Sequence, residues 1–508
     1  MIHLGMFIRQ KKNKSGVISV QVIDKSSGRY RMIKTIGSSS SPAEIKRLVT
    51  EGNHWIQKLG GTQELDFTDY KRQTDLVLSG IEQVMVHGPT VLLGRIFDQI
   101  GFGIIKEPLF RQLVLARLCF PASKLKTTDY LSRHQFIKVD VQVIYRYLDK
   151  LYNHQKERVQ QISYDHTLKI LNNQISVVFY DVTTLYFEAE SEDELRKTGF
   201  SKDGKHQHPQ IVLGLLVSRG GYPLAYDIFK GNQFEGHTIL PVLDSFKAKY
   251  KLDKLVVVAD AGLLSKDNIS LLEKGCYEYI LGARIKAENH LVKQQILSLA
   301  IINGGSSVIQ KDEQTKLIIS YSQTRARKDA HNRLRGLQKL EKQIKTGKLT
   351  KASINNRGYN KFLQIEDQVA ISIDKTKIEE DQKWDGLKGY VTNTSLDKDE
   401  VIAHYKDLWQ IEKAFRVAKT ELEIRPIYHR VQRRIEAHIC IAFAAYKVYK
   451  ELERQLKEKQ SILSAEKAIE IAKTIYALKV RHPITNEITY KTIINTEEQR
   501  KLIELFNL

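Results

Sequence analysis

The spacing of apolar positions changes several times along the chain, and each change marks a boundary between predicted elements. Residues 1–40 read as a small β unit, because two β-rich runs in GVISVQVIDKSSGRYRMIKTIG flank the turn-forming stretch from Asp24 to Gly28. From 41 to 175 the pattern becomes helical. SPAEIKRLVTEGNHWIQKL opens on Ser41 and Pro42, a cap followed by proline at the first helical position. PLFRQLVLARLCF and VIYRYLDKLYNHQKERV then repeat apolar residues at intervals of three and four, as amphipathic helices do.

At 176 the texture shifts to strands. SVVFYDVTTLYFEAE, HPQIVLGLLVSR, YPLAYDIFKGN and KLVVVADAG carry apolar runs suited to a sheet covered on both faces. LLSKDNISLLEKG follows as a helix with Ser265 as its cap and Gly275 as its stop, and YEYILGARI as another strand. Strands followed by a strand–helix–strand unit predict an α/β fold with a mixed sheet flanked by helices over 176–286. Residues 287–380 break the rhythm with the basic helical stretch TRARKDAHNRLRGLQKLEKQIK and the strand-like LQIEDQVAISID, and read as an insertion. The core resumes over 381–457 with the strand-like WDGLKGYVTNTS, a helix from about Lys398 to Glu421, and a long apolar helix over 431–457 whose expected role is core packing. Residues 458–508 read as a C-terminal helical tail that could serve dimerisation.

Charge narrows the partners. The 508 residues carry a net charge of +21, an excess that points to a polyanion, with nucleic acid first and a ribosome-associated or merely basic protein as the plainer reading. The helical, basic region 41–175 is the expected place for a DNA-binding module, although no clean helix-turn-helix pattern stands out in it. Cys119, Cys276 and Cys440 lie far apart with no metal-ligand spacing, and each is expected as a small buried hydrophobe. The N-terminal stretch lacks a signal-peptide core, and no apolar run approaches the roughly 20 residues that span a bilayer. A soluble, cytoplasmic protein with no membrane partner is expected.

Cleaving a DNA phosphodiester requires an activated water or hydroxyl and neutralisation of the leaving oxygen, which two Mg²⁺ ions held by converging carboxylates supply. Asp181 interrupts the apolar run SVVFYDVTT, and Asp260 ends LVVVAD beside Gly262, where a strand leaves the sheet. Either aspartate could instead cap a turn. In YKDLWQIEKAFRVAK, residues Tyr405, Trp409, Glu412, Arg416 and Lys419 are spaced for one helical face. Such a face suits Glu412 as a metal ligand with Arg416 and Lys419 on a DNA backbone; a solvated face with a Glu412–Arg416 pair is the alternative. His206 and His208 read as surface residues before ligands. Glu235 and His237 in GNQFEGHT could flank the site, and the basic helix over 325–345 could grip phosphates or face solvent.

These motifs resemble a bacterial insertion-sequence transposase of the DDE class, in the subgroup marked by a Tyr-x2-Arg-x3-Glu-x6-Lys signature. Tyr405, Glu412 and Lys419 stand at its spacings, whereas Leu408 occupies the arginine position and leaves the phosphate contacts open. YDVTT, KGNQFEGHT, VVADAGLLS, RPIYH at 425–429 and PASKL at 121–125 extend the likeness over most of the chain. The resemblance implies an RNase-H-like core, an insertion before the last catalytic helix, and a triad of Asp181, Asp260 and Glu412 serving as catalytic residues and as ligands for two Mg²⁺, with Mn²⁺ substituting. It implies Tyr405 and Trp409 near the cleaved end, with Trp409 stacking on an unpaired base or else packing under its helix. The expected partners are double-stranded DNA, both element ends and target, and a second copy of the chain. The rival readings are a DNA-binding regulator without catalysis and a nuclease that hydrolyses DNA without joining it.

Overall fold

The computed structural model describes residues 5–508 except 60–73, 76–77, 190, 202–203, 253, 264, 350–353, 356–357, 367–369 and 483–484. The chain divides into two compact units, one of residues 1–82 with 480–489, the other of 83–479 with 490–508.

In the first unit, β1 (Met6–Lys12), β2 (Ile18–Asp24) and β3 (Arg31–Ser39) form an antiparallel sheet in that order. The hairpin expected from the two β-rich runs is β2–β3; β1, with three charged residues among its seven, adds a third strand. Helix α1 (Pro42–Leu59) begins at the proline and lays Ile45 and Leu48 against Val20. Gly37 leaves the room that Leu48 needs, since a Cβ there would sit 2.7 Å from its Cδ2.

After β4 (Ile81–Val86), the second unit opens with α2 (Gly88–Ile100), α3 (Pro108–Cys119), α4 (Lys124–Gln135), α5 (Val141–His154) and α6 (Lys156–Ile170). The sheet is then built from β5 (Val177–Tyr186), β6 (Gln210–Ser218), β7 (Pro223–Lys230), β8 (Val256–Ala259) and β9 (Glu278–Ala283), with α7 (Ile239–Tyr250) before β8 and α8 (Lys266–Lys274) after it. Ser265 Oγ accepts the Asn268 N–H at 3.1 Å and Gly275 ends α8, as its sequence indicated. There follow α9 (His290–Ser298), β10 (Ser306–Gln310), β11 (Lys316–Tyr321), α10 (Gln323–Lys345), β12 (Leu363–Glu366), β13 (Ala370–Ile373), α11 (Lys375–Gln382) and β14 (Leu387–Thr392). The unit closes with α12 (Lys398–Lys406), α13 (Trp409–Thr420), α14 (Gln432–Glu458), α15 (Ala465–Lys473) and α16 (Glu497–Phe506).

The eight-stranded sheet runs β10-β11-β14-β9-β8-β5-β6-β7. Strands β5, β6 and β7 form an antiparallel meander, while β8 and β9 lie parallel to β5 on its other side. That is an RNase-H-like order. Every residue of β6 is buried because helices cover both faces, which explains its unbroken apolar run. From the stretch 287–380, β10 and β11 extend this same sheet, and the rest forms α10, the β12–β13 pair and α11. Side chains alternate between two cores. Phe179 and Leu185 of β5 and Val256 and Val258 of β8 join one core with α13 and α14; Val178, Tyr180, Val257 and Ala259 join the other with α7. The long helix α14 is buried along most of its length, as its apolar composition requires. No described helix is long and apolar enough to cross a membrane.

Cys119 and Cys440 are buried as expected, but Cys276 is exposed. It sits in the turn that closes α8 with φ of 54°, and its side chain is carried outward there.

Candidate active site

The two aspartates are neighbours because of strand register. In the parallel ladder between β5 and β8, Tyr180 lies opposite Ala259, so Asp181 and Asp260 are the next residues on adjoining strands, whose axes are about 4.8 Å apart. Alternation sends both side chains to the face that carries α12 and α13, since Phe179 and Val258, two residues back, belong to that core. Asp181 is half-buried, and its Oδ1 accepts the Val182 N–H at 2.8 Å. Asp260 lies just past the end of β8 and is exposed.

Glu412 is exposed in the first turn of α13, which packs Ile411, Ala414 and Phe415 onto the same core. Among the described residues no three His, Cys, Asp or Glu side chains are gathered closely enough to hold a metal ion. The two aspartates are thus side by side and Glu412 shares their face without closing on them. A hard ion that keeps several waters and takes one or two carboxylates does not need a closed protein cage.

The expectation of one continuous helix from Lys398 to Glu421, with five residues on one face, is corrected. A capping box at Asp397 and Glu400 starts α12, which stops at Lys406; bonds from Gln410 N–H to Asp407 O and from Ile411 N–H to Leu408 O then tighten the chain before α13. The break gives Tyr405 and Trp409 different surroundings. Tyr405 is 6% exposed and packs edge-on to Tyr390 with ring centroids 4.9 Å apart, whereas Trp409 is 54% exposed. Trp409 is therefore not packed beneath its helix. It stands with Lys413 over its ring at 5.9 Å, at the mouth of a cavity of about 700 Å³ that Arg219, Lys450 and Lys457 also line. Glu412 and Arg416 are exposed on the same side of α13 as Trp409, and Lys419 is half-buried. Leu408 is buried in the core, so in this chain that position carries packing and no phosphate contact.

The Tyr405 hydroxyl donates to Asp260 Oδ1 at 3.0 Å. Burial raises its pKa, and the charges of Asp260 and Glu412 raise it further, so it stays a donor. Lys388, half-buried on β14, holds its ammonium 4.4 Å from the Tyr405 ring centre. Its pKa is lowered by burial and by Arg325, against the pull of Asp260 and Glu412. Gly282 of β9 makes this possible: a Cβ there would collide with the Tyr405 hydroxyl and stand 3.1 Å from Ala261 N. Gly282, Lys388 and Tyr390 were not singled out in the sequence, and Arg325 only as the first residue of the basic helix over 325–345. Lys388 left a signal, a charge inside the strand LKGYVT; Gly282 left none, because its role depends on a contact with a residue more than a hundred positions away.

A cleft of about 1100 Å³ opens beside Asp260 and Tyr405, lined with Arg284, Lys286, Arg325 and Lys388. The basic helix α10 forms one wall. It is not wholly a solvated face: Arg333 is buried and makes a two-pronged bond to Asp385 at 2.7 and 2.5 Å. Glu235 reaches the loop after Asp260, its Oε2 lying 3.9 Å from where a Cβ on Gly262 would be. His206 Nδ1 accepts the Ser201 N–H at 3.2 Å and so serves its own loop.

The sequence matches the family described as Transposase DDE domain over residues 172–447, more than half of the chain. The chain belongs to that family. The matched span starts just before β5 and ends inside α14, so it takes in Asp181, Asp260 and Glu412. The protein is thus a DNA transposase, an enzyme of a class that works with divalent metal ions. No curated protein matches the sequence. Among solved structures the transposase is similar to a piggyBac transposase synaptic complex with hairpin DNA, at 8% identity and a TM-score of 0.38 over 79% of each chain. It is also similar to a Mos1 transposase paired-end complex with left transposon end, at 10% identity and a TM-score of 0.16 over 46% of this chain and 66% of that one. Both scores are too low to add to the assignment, which rests on the family match.

Proposed function

We propose that the transposase cuts the ends of an insertion sequence and joins them to target DNA at one centre formed by Asp181, Asp260 and Glu412. The observation that carries this reading is the register of β5 and β8, which makes the two aspartates neighbours on the face shared by Glu412. The donor chemistry fits Mg²⁺, with Mn²⁺ as a substitute: three carboxylates, no thiolate or imidazole, one on a strand, one just past a strand's end and one on a helix. Asp181, Asp260 and Glu412 would hold the ions, which would supply activation of a bound water and neutralisation of the leaving oxygen.

The chain's own residues then divide the remaining work. Tyr405 holds Asp260 in one orientation through its hydroxyl. Lys388 and Arg325 bring positive charge to the cleft where a phosphate would lie, and Arg416 and Lys419 contact the DNA backbone on the α13 side. Trp409, exposed beside them, stacks on an unpaired base at the cleaved end. After hydrolysis frees a 3′-OH, the same in-line geometry serves its attack on a target phosphodiester, with the released 3′-oxygen of the target as leaving group. Joining two ends in one event calls for two copies of the chain, so the working form is a homodimer on double-stranded DNA.

The test is strand transfer. Purified protein is incubated with Mg²⁺, a supercoiled plasmid and a labelled duplex of the element's end with a free 3′-OH. Label that becomes covalently joined to the plasmid supports the reading. Hydrolysis without joining would favour a nuclease, and tight binding without either would favour a non-catalytic regulator.

A further inference from the structure

Two motifs far apart in sequence meet in a second cleft, away from the carboxylates. PASKL forms the start of α4 and RPIYH follows α13, and together they line a cavity of about 480 Å³ with Arg117, Lys124, Tyr145, Arg425, His429 and His438 among its walls. Lys124 is 5% exposed, yet its ammonium makes no hydrogen bond or ion pair with any described residue. His438 is equally buried; its Nε2 meets Ile424 O at 3.0 Å, and its Nδ1 has no partner. Arg117, also 5% exposed, spends its guanidinium on main-chain oxygens: Ala122 at 3.1 Å, Leu422 at 3.4 Å and Glu423 at 3.5 Å. Among the described residues the lining carries a single acid, Glu423, which is exposed and offsets Arg117 rather than Lys124. Buried cations without a counter-charge are costly and are normally paired. The cost appears in the groups themselves. Burial and Arg117 lower the Lys124 pKa, and burial together with Lys124 and Arg117 holds His429 down at about 3.

We propose that this cleft is a binding site for one phosphate group, carried by DNA or by a small free anion, with Lys124 and Arg117 as its donors. A phosphate supplies the missing negative charge and accepts from the Lys124 ammonium and the Arg117 guanidinium. The N-terminus of α4, where Ser123 Oγ caps the Lys126 N–H at 3.3 Å, adds a favourable dipole end. Position favours DNA as the source. Ile427 bridges to Phe187 just beyond β5, and its N–H donates to Tyr186 O at 3.1 Å, so the cleft adjoins the strand that bears Asp181. Phe187 is about 20 Å along β5 from Asp181 at the strand rise of about 3.3 Å per residue, a span of roughly six nucleotides of one DNA strand. A duplex with its scissile phosphate at the carboxylates would carry another phosphate to this distance.

The test compares the full-length wild type with Lys124→Met and Lys124→Gln, using a fluorescein-labelled 30-base-pair duplex and inorganic phosphate as separate probes. Thermal unfolding is read first: loss of an unpaired buried cation should leave Tm unchanged or raised in Lys124→Met. If the phosphate comes from DNA, both variants bind the duplex roughly tenfold more weakly. The slope of log K against log salt then becomes shallower by about 0.9. If it comes from a free anion, millimolar phosphate raises the wild-type Tm but not that of the variants, and duplex binding is unaltered. Folded variants that match the wild type with both probes overturn the proposal. Only the DNA arm rests on the DNA-cutting reading, and neither arm measures cleavage, so failure of the carboxylate assignment would leave both results interpretable.

Discussion

The Tyr405 hydroxyl donates a 3.0 Å hydrogen bond to Asp260 Oδ1, across a gap that only a glycine at position 282 leaves open. The bond fixes the rotamer of an otherwise exposed aspartate. Replacing Tyr405 by phenylalanine keeps the packing against Tyr390 and removes only the donor. Tyr405→Phe is expected to fold with a stability loss of about 1 kcal/mol and to need severalfold more Mg²⁺ for half-maximal plasmid cleavage. An unchanged metal midpoint would show that the hydroxyl does not orient a ligand.

Gly282→Ala puts a methyl group where the hydroxyl lies, so Tyr405 must move. A loss of about 1–3 kcal/mol in denaturant unfolding is expected, as for other overpacked sites. Because phenylalanine lacks the atom that collides, the double variant Gly282→Ala/Tyr405→Phe should be more stable than the sum of the single effects allows. Additive losses would mean that position 282 acts through Ala261 or the strand itself.

Trp409 separates a binding role from a structural one. It is largely exposed, so Trp409→Ala should change stability by no more than about 0.5 kcal/mol. If its ring stacks on a base, the same change should weaken binding of an end with an unpaired nucleotide by about 1–3 kcal/mol, read by 2-aminopurine fluorescence at that nucleotide. Equal quenching in wild type and variant would place the stacked base elsewhere.

Stability should fall as the medium becomes acidic below neutrality. Burial, reinforced by Lys447, lowers the His166 pKa to about 4 from an ordinary 6.5, and its Nδ1 has no partner. The unfolded chain therefore takes up this proton before the folded one does. The contribution is complete above about pH 6.5 and is lost as pH falls towards 4, and is on the order of 3 kcal/mol. His87, His429 and His438 are shifted the same way, so the wild-type Tm should decline across that window. His166→Gln should flatten the decline without abolishing it. An identical pH dependence in the variant would show that His166 is protonated in the folded protein.

Much of the sheet was legible because its strands are covered on both faces: IVLGLLV and VVVA are buried throughout, and SVVFY from Val178 onward. Asp181 and Asp260 stood out as acids at the ends of such runs. What periodicity could not show was the tight turn at Asp407 and Leu408, because a one-turn interruption leaves the apolar spacing nearly intact while it turns Tyr405 inward and leaves Trp409 out. Strand β1 was missed because its face is mostly polar, and β10 and β11 because their short runs lie at the far edge of the sheet. Gly282 and Lys388 matter only through contacts made across the fold with Tyr405, and no local pattern encodes such a contact.

The most direct measurement is nicking of supercoiled plasmid with Mn²⁺ or Mg²⁺ by the wild type beside Asp181→Asn, Asp260→Asn and Glu412→Gln, each checked for an unaltered Tm. Metal-dependent nicking by the wild type, reduced at least a thousandfold (about 4 kcal/mol in barrier) by each substitution, is the predicted result. Nicking that survives any one of the three in a folded protein would contradict the assignment of that carboxylate to the centre.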